Sequence, residues 1–245
     1  MFDNSVAVIP ARYGSTRFPG KVLAEICGKP MIQWVYERTA ESIADEVMVA
    51  TDDERVVKAV EGFGGKAVMT SPDHPSGTDR IYEAIQHTDK DIIINVQGDE
   101  PLIPTEVIDD LVKAMTVNQN ITMATVAVKA PRKEMEDPNK VKVVLDNNDF
   151  ALYFSRSMIP YLREGADDTP VFLHWGIYAY RRATLNKLVS LPQGKLEACE
   201  KLEQLRALEN GVSIYVMRSG LSSIGVDTPE DLAQAELKMR EQGLC

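Results

Sequence analysis

Cysteine is almost absent from this 245-residue chain, and the three present, Cys27, Cys199 and Cys245, are odd in number and far apart. They lack the paired short spacings of a zinc site or a disulfide framework, and their scarcity fits a reducing cytoplasm. Long apolar runs are missing too. The first, Val6 to Pro10, follows Asp3 rather than a basic leader and stops at Arg12, too short for a secretory signal or a membrane span. Positive charge is in deficit: 27 Lys and Arg stand against 37 Asp and Glu, a formal net charge of −10. No basic field gathers nucleic acid or anionic lipid, so neither partner is expected. A phosphate-bearing ligand has to be held by a few local cations and backbone N–H groups against the overall charge, which makes any cluster of Arg and Lys informative. Gly (15) and Pro (13) are well below low-complexity levels, and no internal repeat is present.

What is present is alternation. Short apolar runs at Val6–Pro10, Val47–Ala50, Ala67–Met69 and Ile92–Ile94 are separated by segments of helical period. These carry Ile32, Val35 and Tyr36, then Val56, Val57, Val60 and Phe63, then Ile81 and Ile85. Gly64-Gly65 closes the second helix, and Ile108, Leu111, Val112 and Met115 stripe a fourth before the strand Met123–Val128. This is the pattern of βα units in a mostly parallel sheet. The middle differs: Val141–Leu145 and Ala151–Phe154 flank Asp146-Asn147-Asn148-Asp149, which reads as an antiparallel hairpin. Val171–Tyr180 is a further strand, Leu196 to about Leu208 a helix, Ile214–Met217 a strand, and Thr228-Pro229 opens a last helix. The expectation is one α/β domain over residues 1–245 with a small antiparallel insertion around 130–180 that carries an oligomer contact.

Three loops hold the chemistry. The first strand runs into Ala11-Arg12-Tyr13-Gly14-Ser15-Thr16-Arg17-Phe18-Pro19-Gly20-Lys21, at a strand's carboxyl end, where open sheets bind ligands. Its glycines permit close backbone approach, its hydroxyls donate, and Arg12, Arg17 and Lys21 are cations in an acidic protein. A triphosphate suits it, although neither the Walker nor the dinucleotide spacing is present, and the alternative is a solvated basic turn. Asn95-Val96-Gln97-Gly98-Asp99-Glu100-Pro101 ends another strand in the same sense. Mg²⁺ takes one or two carboxylates and fills its remaining positions with water and phosphate oxygens, so Asp99 is the natural first ligand. Asp227 is either the second or a helix cap. Ser76-Gly77-Thr78-Asp79-Arg80 offers donors for a base or carboxylate, or else is a turn and N-cap with Arg80 exposed. In the C-terminal half, His174 and Tyr178 fall on one strand face, and Glu203 with Gln204 lies beside a buried helical stripe, where a carboxylate requires a partner.

Together these segments, with Ala151-Leu152-Tyr153-Phe154-Ser155-Arg156, Leu202-Glu203-Gln204-Leu205-Arg206 and Gly225-Val226-Asp227-Thr228-Pro229, resemble the 3-deoxy-manno-octulosonate (Kdo) cytidylyltransferase family over nearly the whole chain. The resemblance implies a Rossmann-like nucleotidyltransferase fold. It implies condensation of CTP with Kdo to CMP-Kdo and pyrophosphate for lipopolysaccharide synthesis, in the cytoplasm and as a homodimer. Ala11, Arg12, Gly14, Ser15, Arg17, Lys21, Ser76, Gly77 and Thr78 would then bind CTP. Asp99 and Asp227 would bind Mg²⁺, and Arg12, Arg17, Lys21 and the two aspartates would serve catalysis. Arg80, Gln97, Arg156, His174, Tyr178, Glu203 and Gln204 would bind the sugar acid. Between Arg163 and Leu173 the chain is shorter than the family pattern and lacks its basic residues, so the 8-amino form of Kdo stays open as acceptor. CMP-sialic acid synthesis, a non-catalytic nucleotide binder and a transferase consuming nucleotide sugars are the competing readings.

Overall fold

The structure, a computed structural model, describes residues 4–14, 18–165 and 169–245. They form two compact units: the described residues up to Lys113 together with Ser222–Cys245, and Ala114–Leu221. The first unit is built on β1 (Ser5–Ala11), whose Val6 to Ile9 are wholly buried. A single 3-10 turn (Lys21–Leu23) and the small hairpin β2 (Glu25–Ile26) and β3 (Lys29–Pro30) follow, and then α1 (Met31–Ala40). Next come β4 (Glu46–Thr51), α2 (Glu54–Gly62), β5 (Ala67–Met69), α3 (Gly77–Ala84), β6 (Ile92–Asn95) and α4 (Thr105–Val117), within which the first unit ends.

The strand order is β6-β1-β4-β5, and every pair is parallel. The chain therefore leaves β1 toward β4 on one side and returns to β6 on the other, which makes β1/β6 a switch point where the two exit loops diverge and leave a crevice. The loops after β1, β4, β5 and β6 all lie at this same edge. Local chemistry sets the helices. Asp53 caps α2 by accepting from Arg55 N, and α2 buries Val56 and Val60. It ends at Gly64, which has φ 83°, with Gly65 N returning to Val60 O at 2.8 Å.

In the second unit, β7 (Met123–Ala130) pairs antiparallel with β10 (Val171–Arg181) and parallel with β11 (Tyr215–Ser219). The expected hairpin is present as β8 (Lys142–Leu145) and β9 (Ala151–Ser155). Its turn is made by Asp146, whose Oδ1 accepts from Asn148 N and Phe150 N, both at 2.8 Å, and by Asp149 in the left-handed region. The helices are α5 (Arg182–Ser190), α6 (Lys195–Glu200) and α7 (Gln204–Glu209). The continuous helix expected from Leu196 to Leu208 is thus two helices. Arg156 Nε takes the carbonyl of Glu200 at 2.7 Å, Glu200's carboxylate is drawn to Ser155 Oγ at 2.6 Å, and Lys201 turns left-handed at φ 54°.

The chain closes with α8 (Pro229–Glu241) in the first unit, opened as expected by Thr228 and Asp231, each capping the other's backbone N–H. Beyond it, Cys245 is disulfide-bonded to Cys27, and Cys199 is free and exposed. The bond departs from the unpaired cysteines and reducing compartment that the sequence suggested, and no short spacing announces it. Cys27 and Gly28 are the two central residues of the β2–β3 turn, at φ 51° and 77°, a geometry more often built from Asn-Gly.

The bond joins residues 218 apart, and confining an unfolded chain of that reach is worth about 5 kcal/mol. Dithiothreitol is expected to lower the thermal midpoint by on the order of 10 °C. A Cys245→Ser variant should melt at that lower temperature with or without reductant. A wild-type midpoint indifferent to reductant would remove the disulfide from the account.

Candidate active site

Lys21 is the focus of the first unit. Its ammonium donates to Asp99 Oδ2 at 2.7 Å, to Asp227 Oδ1 at 3.0 Å and to the Val226 carbonyl at 3.0 Å, using all three of its protons. Only 14% of the Lys21 side chain is exposed, so the attraction is poorly screened. Burial of the ammonium works to lower its pKa, but Asp99 and then Asp227 outweigh it, and the pKa lies above its ordinary value.

Three segments distant in sequence make this contact. The β6 exit loop delivers Asp99 by crossing the end of β1, and a Cβ on Gly98 would lie 2.8 Å from Pro10 O, so only glycine passes. Val226 N donates to Asp99 O at 2.8 Å and fastens the loop before α8 to it. Two carboxylates and a carbonyl converging on one cation form a hard-oxygen donor set that fits Mg²⁺. Among the described residues no group of three or more His, Cys, Asp or Glu is arranged to hold a metal ion by itself.

Arg12, the other described cation of the first loop, donates to the His74 carbonyl at 2.5 Å. That ties the β1 exit to the loop before α3. His74 Nε2 in turn pairs with Glu83 Oε2, which also accepts from Ser71 N at 3.0 Å. The backbone bond from Ser71, then His74, holds the Glu83 carboxyl below its usual pKa. Ala11 is the buried last residue of β1. Among the described residues a Cβ on Gly14 would meet nothing within 4 Å, and one on Gly77 would make ordinary contact with Pro10. Ser15 and Arg17, with Thr16, lie outside the described residues.

The Ser76–Arg80 segment combines both of its alternatives. Ser76 is the N-cap of α3, accepting from Asp79 N at 3.2 Å, and Thr78 is buried beside it. Arg80, expected either at the sugar or in solvent, is fully buried. It donates to Thr70 Oγ1 at 2.6 Å and Asp52 Oδ2 at 2.7 Å, and its Nε has no partner among the described residues. The guanidinium holds the exits of β4 and β5 together. Gln97 Nε2 reaches Asn95 Oδ1 at 3.3 Å.

In the second unit, His174 and Tyr178 do share a face, with ring centroids 5.4 Å apart. A bulge between Trp175 and Tyr178 adds two residues to β10, an even number, so the alternation is kept. Thr125 Oγ1 donates to the Ile177 carbonyl at 2.8 Å inside the bulge and lies 3.0 Å from His174 Nε2. Phe154 packs on the His174 ring at 5.0 Å. Desolvation pushes the imidazole pKa down to about 3, so the ring is neutral, and burial raises the Tyr178 phenol well above its usual range. Arg156 is committed to the carbonyls of Glu200, Pro138 and Lys201. Glu203, expected beside the buried stripe, is exposed, because the break at Lys201 restarts the helix one residue after it. Gln204 is buried in the first turn of α7, and its Nε2 has no partner among the described residues.

Several site neighbours escaped the sequence reading: Asp52, Asp53 and Arg55 after β4, Tyr13 in the first loop, and the His74–Glu83 pair. Thr51-Asp52-Asp53 follows a parallel strand just as Arg12 and Asp99 do, and that position was the available signal.

The family model for cytidylyltransferases matches residues 6–214. A 3-deoxy-manno-octulosonate cytidylyltransferase from Trichlorobacter lovleyi is 48% identical, over 96% of this chain and 98% of its own length. An 8-amino-3,8-dideoxy-manno-octulosonate cytidylyltransferase from Shewanella baltica is 51% identical over the same shares of the two chains. The solved structure of a CMP:2-keto-3-deoxy-manno-octonic acid synthetase complexed with CTP superposes with a TM-score of 0.94 at 46% identity, covering 98% of this chain and 99% of its own.

The His174 shift has a measurable sign. Between imidazole's ordinary 6.5 and the folded-state value of about 3, the unfolded chain takes up a proton that the folded chain refuses, so stability falls as pH falls through this window. Urea melts at pH 7 and pH 5 should show the wild type losing on the order of 1–2 kcal/mol more than His174→Gln. Equal losses would mean that the ring titrates normally.

Proposed function

Because the chain belongs to the cytidylyltransferase family, among its 3-deoxy-manno-octulosonate enzymes, we propose that it condenses CTP with Kdo or its 8-amino analogue, releasing pyrophosphate and forming the CMP-sugar. The observation that carries this reading is the convergence of Asp99, Asp227 and Val226 O on Lys21 at the carboxyl edge of a parallel sheet. The anomeric hydroxyl of the sugar acid attacks the α-phosphorus in line. The bond from that phosphorus to the β-phosphate bridging oxygen breaks, and the hydroxyl proton is lost to solvent or to a carboxylate. Arg12 and Lys21 balance the triphosphate charge and hold it in line, which is most of what such a transfer requires. Arg17, from the same loop, joins them in this reading.

Asp99 and Asp227 would hold Mg²⁺, which when bound supplies charge neutralisation at the phosphates and acidifies a nearby hydroxyl. Ser76, Gly77 and Thr78 stand at the base and ribose. His174, being neutral, suits sugar hydroxyls rather than the carboxylate, and Gln204 brings an unpaired buried amide. Gln97, Tyr178, Glu203, Arg156 and Arg80 complete the sugar set in this reading. A homodimer in the cytoplasm belongs to the same reading. Exposed Leu152, Met158 and Tyr161 near β9 support the dimer, and no helix among the described residues is long and apolar enough to cross a membrane.

Pyrophosphate release from CTP and Mg²⁺, measured separately with Kdo, 8-amino-Kdo and sialic acid, is expected with one of the first two. Asp99→Asn and Asp227→Asn should each cut kcat/KM by about a hundredfold or more. Release with sialic acid alone, or full turnover by either variant, would overturn the reading.

A further inference from the structure

Tyr13 and Gly20 close on each other within the first loop. Gly20 N donates to Tyr13 O at 2.9 Å, Gly20 is left-handed at φ 72°, and a Cβ there would lie 3.1 Å from the phenol ring. Tyr13 therefore lies against the glycine that immediately precedes Lys21. The Arg55 guanidinium sits over the Tyr13 ring, 3.4 Å from its centroid, within the range of a cation–π contact. Arg55 is itself gripped by Asp53, Nε to Oδ1 at 2.9 Å and Nη2 to Oδ2 at 2.6 Å, a two-pronged pair on the residue that caps α2. Arg55 holds the Asp53 carboxyl at a pKa of about 2, so the pair stays charged throughout the working pH range.

A chain of contacts thus runs from the first turn of α2 through Arg55, Tyr13 and Gly20 to Lys21, whose ammonium meets Asp99 and Asp227. An exposed ion pair contributes little to stability, and the Arg55 side chain is 59% exposed. We propose that Arg55, acting through Tyr13, is a positioning residue for the triphosphate: it fixes the register of Gly20 and so the reach of Lys21. The proposal rests on the CTP reading above. A planar guanidinium is needed, because lysine cannot both stack on a ring and fork onto a carboxylate.

The test is CTP affinity by calorimetry, with steady-state kinetics, on the full chain. Arg55→Ala and Tyr13→Leu should each weaken CTP binding and raise KM for CTP about three- to fivefold, while KM for the sugar acid and the thermal midpoint stay at wild-type values. Arg55→Lys should fall between. A lowered midpoint with unchanged CTP affinity would make the contact structural only. Unaltered affinity and KM in Arg55→Ala would overturn the inference while leaving the CTP reading intact. A wild-type chain that binds no CTP would overturn both.

Discussion

Asp99 and Asp227 are 128 residues apart in sequence yet meet in one crevice, and two carboxylates brought together repel unless a cation lies between them. Lys21 is that cation, with each of its three protons on a separate oxygen. The contact is demanding because none of its members is held by the others' secondary structure. It depends on Gly98 passing over Pro10 O, on Val226 N reaching Asp99 O, and on the 3-10 turn that starts at Lys21. Around it the first unit is arranged so that four parallel strands release their loops at one edge, and the Cys27–Cys245 bond fastens the hairpin after Lys21 to the chain beyond α8.

The net charge of −10 sharpens this arrangement. A polyanionic ligand approaches a molecule whose overall field repels it, so its recognition has to be local; of the two described cations of the first loop, Lys21 is largely buried and Arg12 is exposed. Both cations are internally engaged, Arg12 on the His74 carbonyl and Lys21 on the two aspartates. Neither is left as an unpaired buried charge, and each is already oriented by the bond it makes. The cations also link the loops that they serve. Arg12 joins the β1 exit to the segment leading into Ser76, and Lys21 joins it to the segment leading into α8.

Much of this was legible because it rests on local signals. The parallel strands, the Asp146–Asp149 turn, the Thr228-Pro229 helix start and the loops carrying Lys21 and Asp99 all follow from periodicity, turn chemistry and strand ends. What was not legible depends on partners far along the chain. The break between α6 and α7 has no Gly or Pro to mark it. It falls where Arg156, just after β9, captures the Glu200 carbonyl and Lys201 turns left-handed, and it leaves Glu203 exposed where helical spacing placed it beside the core. Arg80 reads as a surface or ligand residue until Asp52 and Thr70 are seen to enclose it. The disulfide closes through a Cys-Gly turn that resembles no common hairpin sequence.

Buried polar atoms without partners separate the two kinds of residue that the sequence grouped together. An unsatisfied buried donor costs about 1–3 kcal/mol, so its persistence needs a reason. Arg80 has one in its own bonds: two of its nitrogens hold Thr70 and Asp52, and the idle Nε is the remainder of a structural clamp. Gln204 has no such bonds to explain its Nε2. It sits buried at the start of α7 with a free amide donor, one residue after the break that ends α6. That break costs helix continuity, and it sets Gln204 in the first turn of α7. The same Arg156 that reads as a sugar contact therefore stands one step back, at the end of α6 where the chain breaks before Gln204.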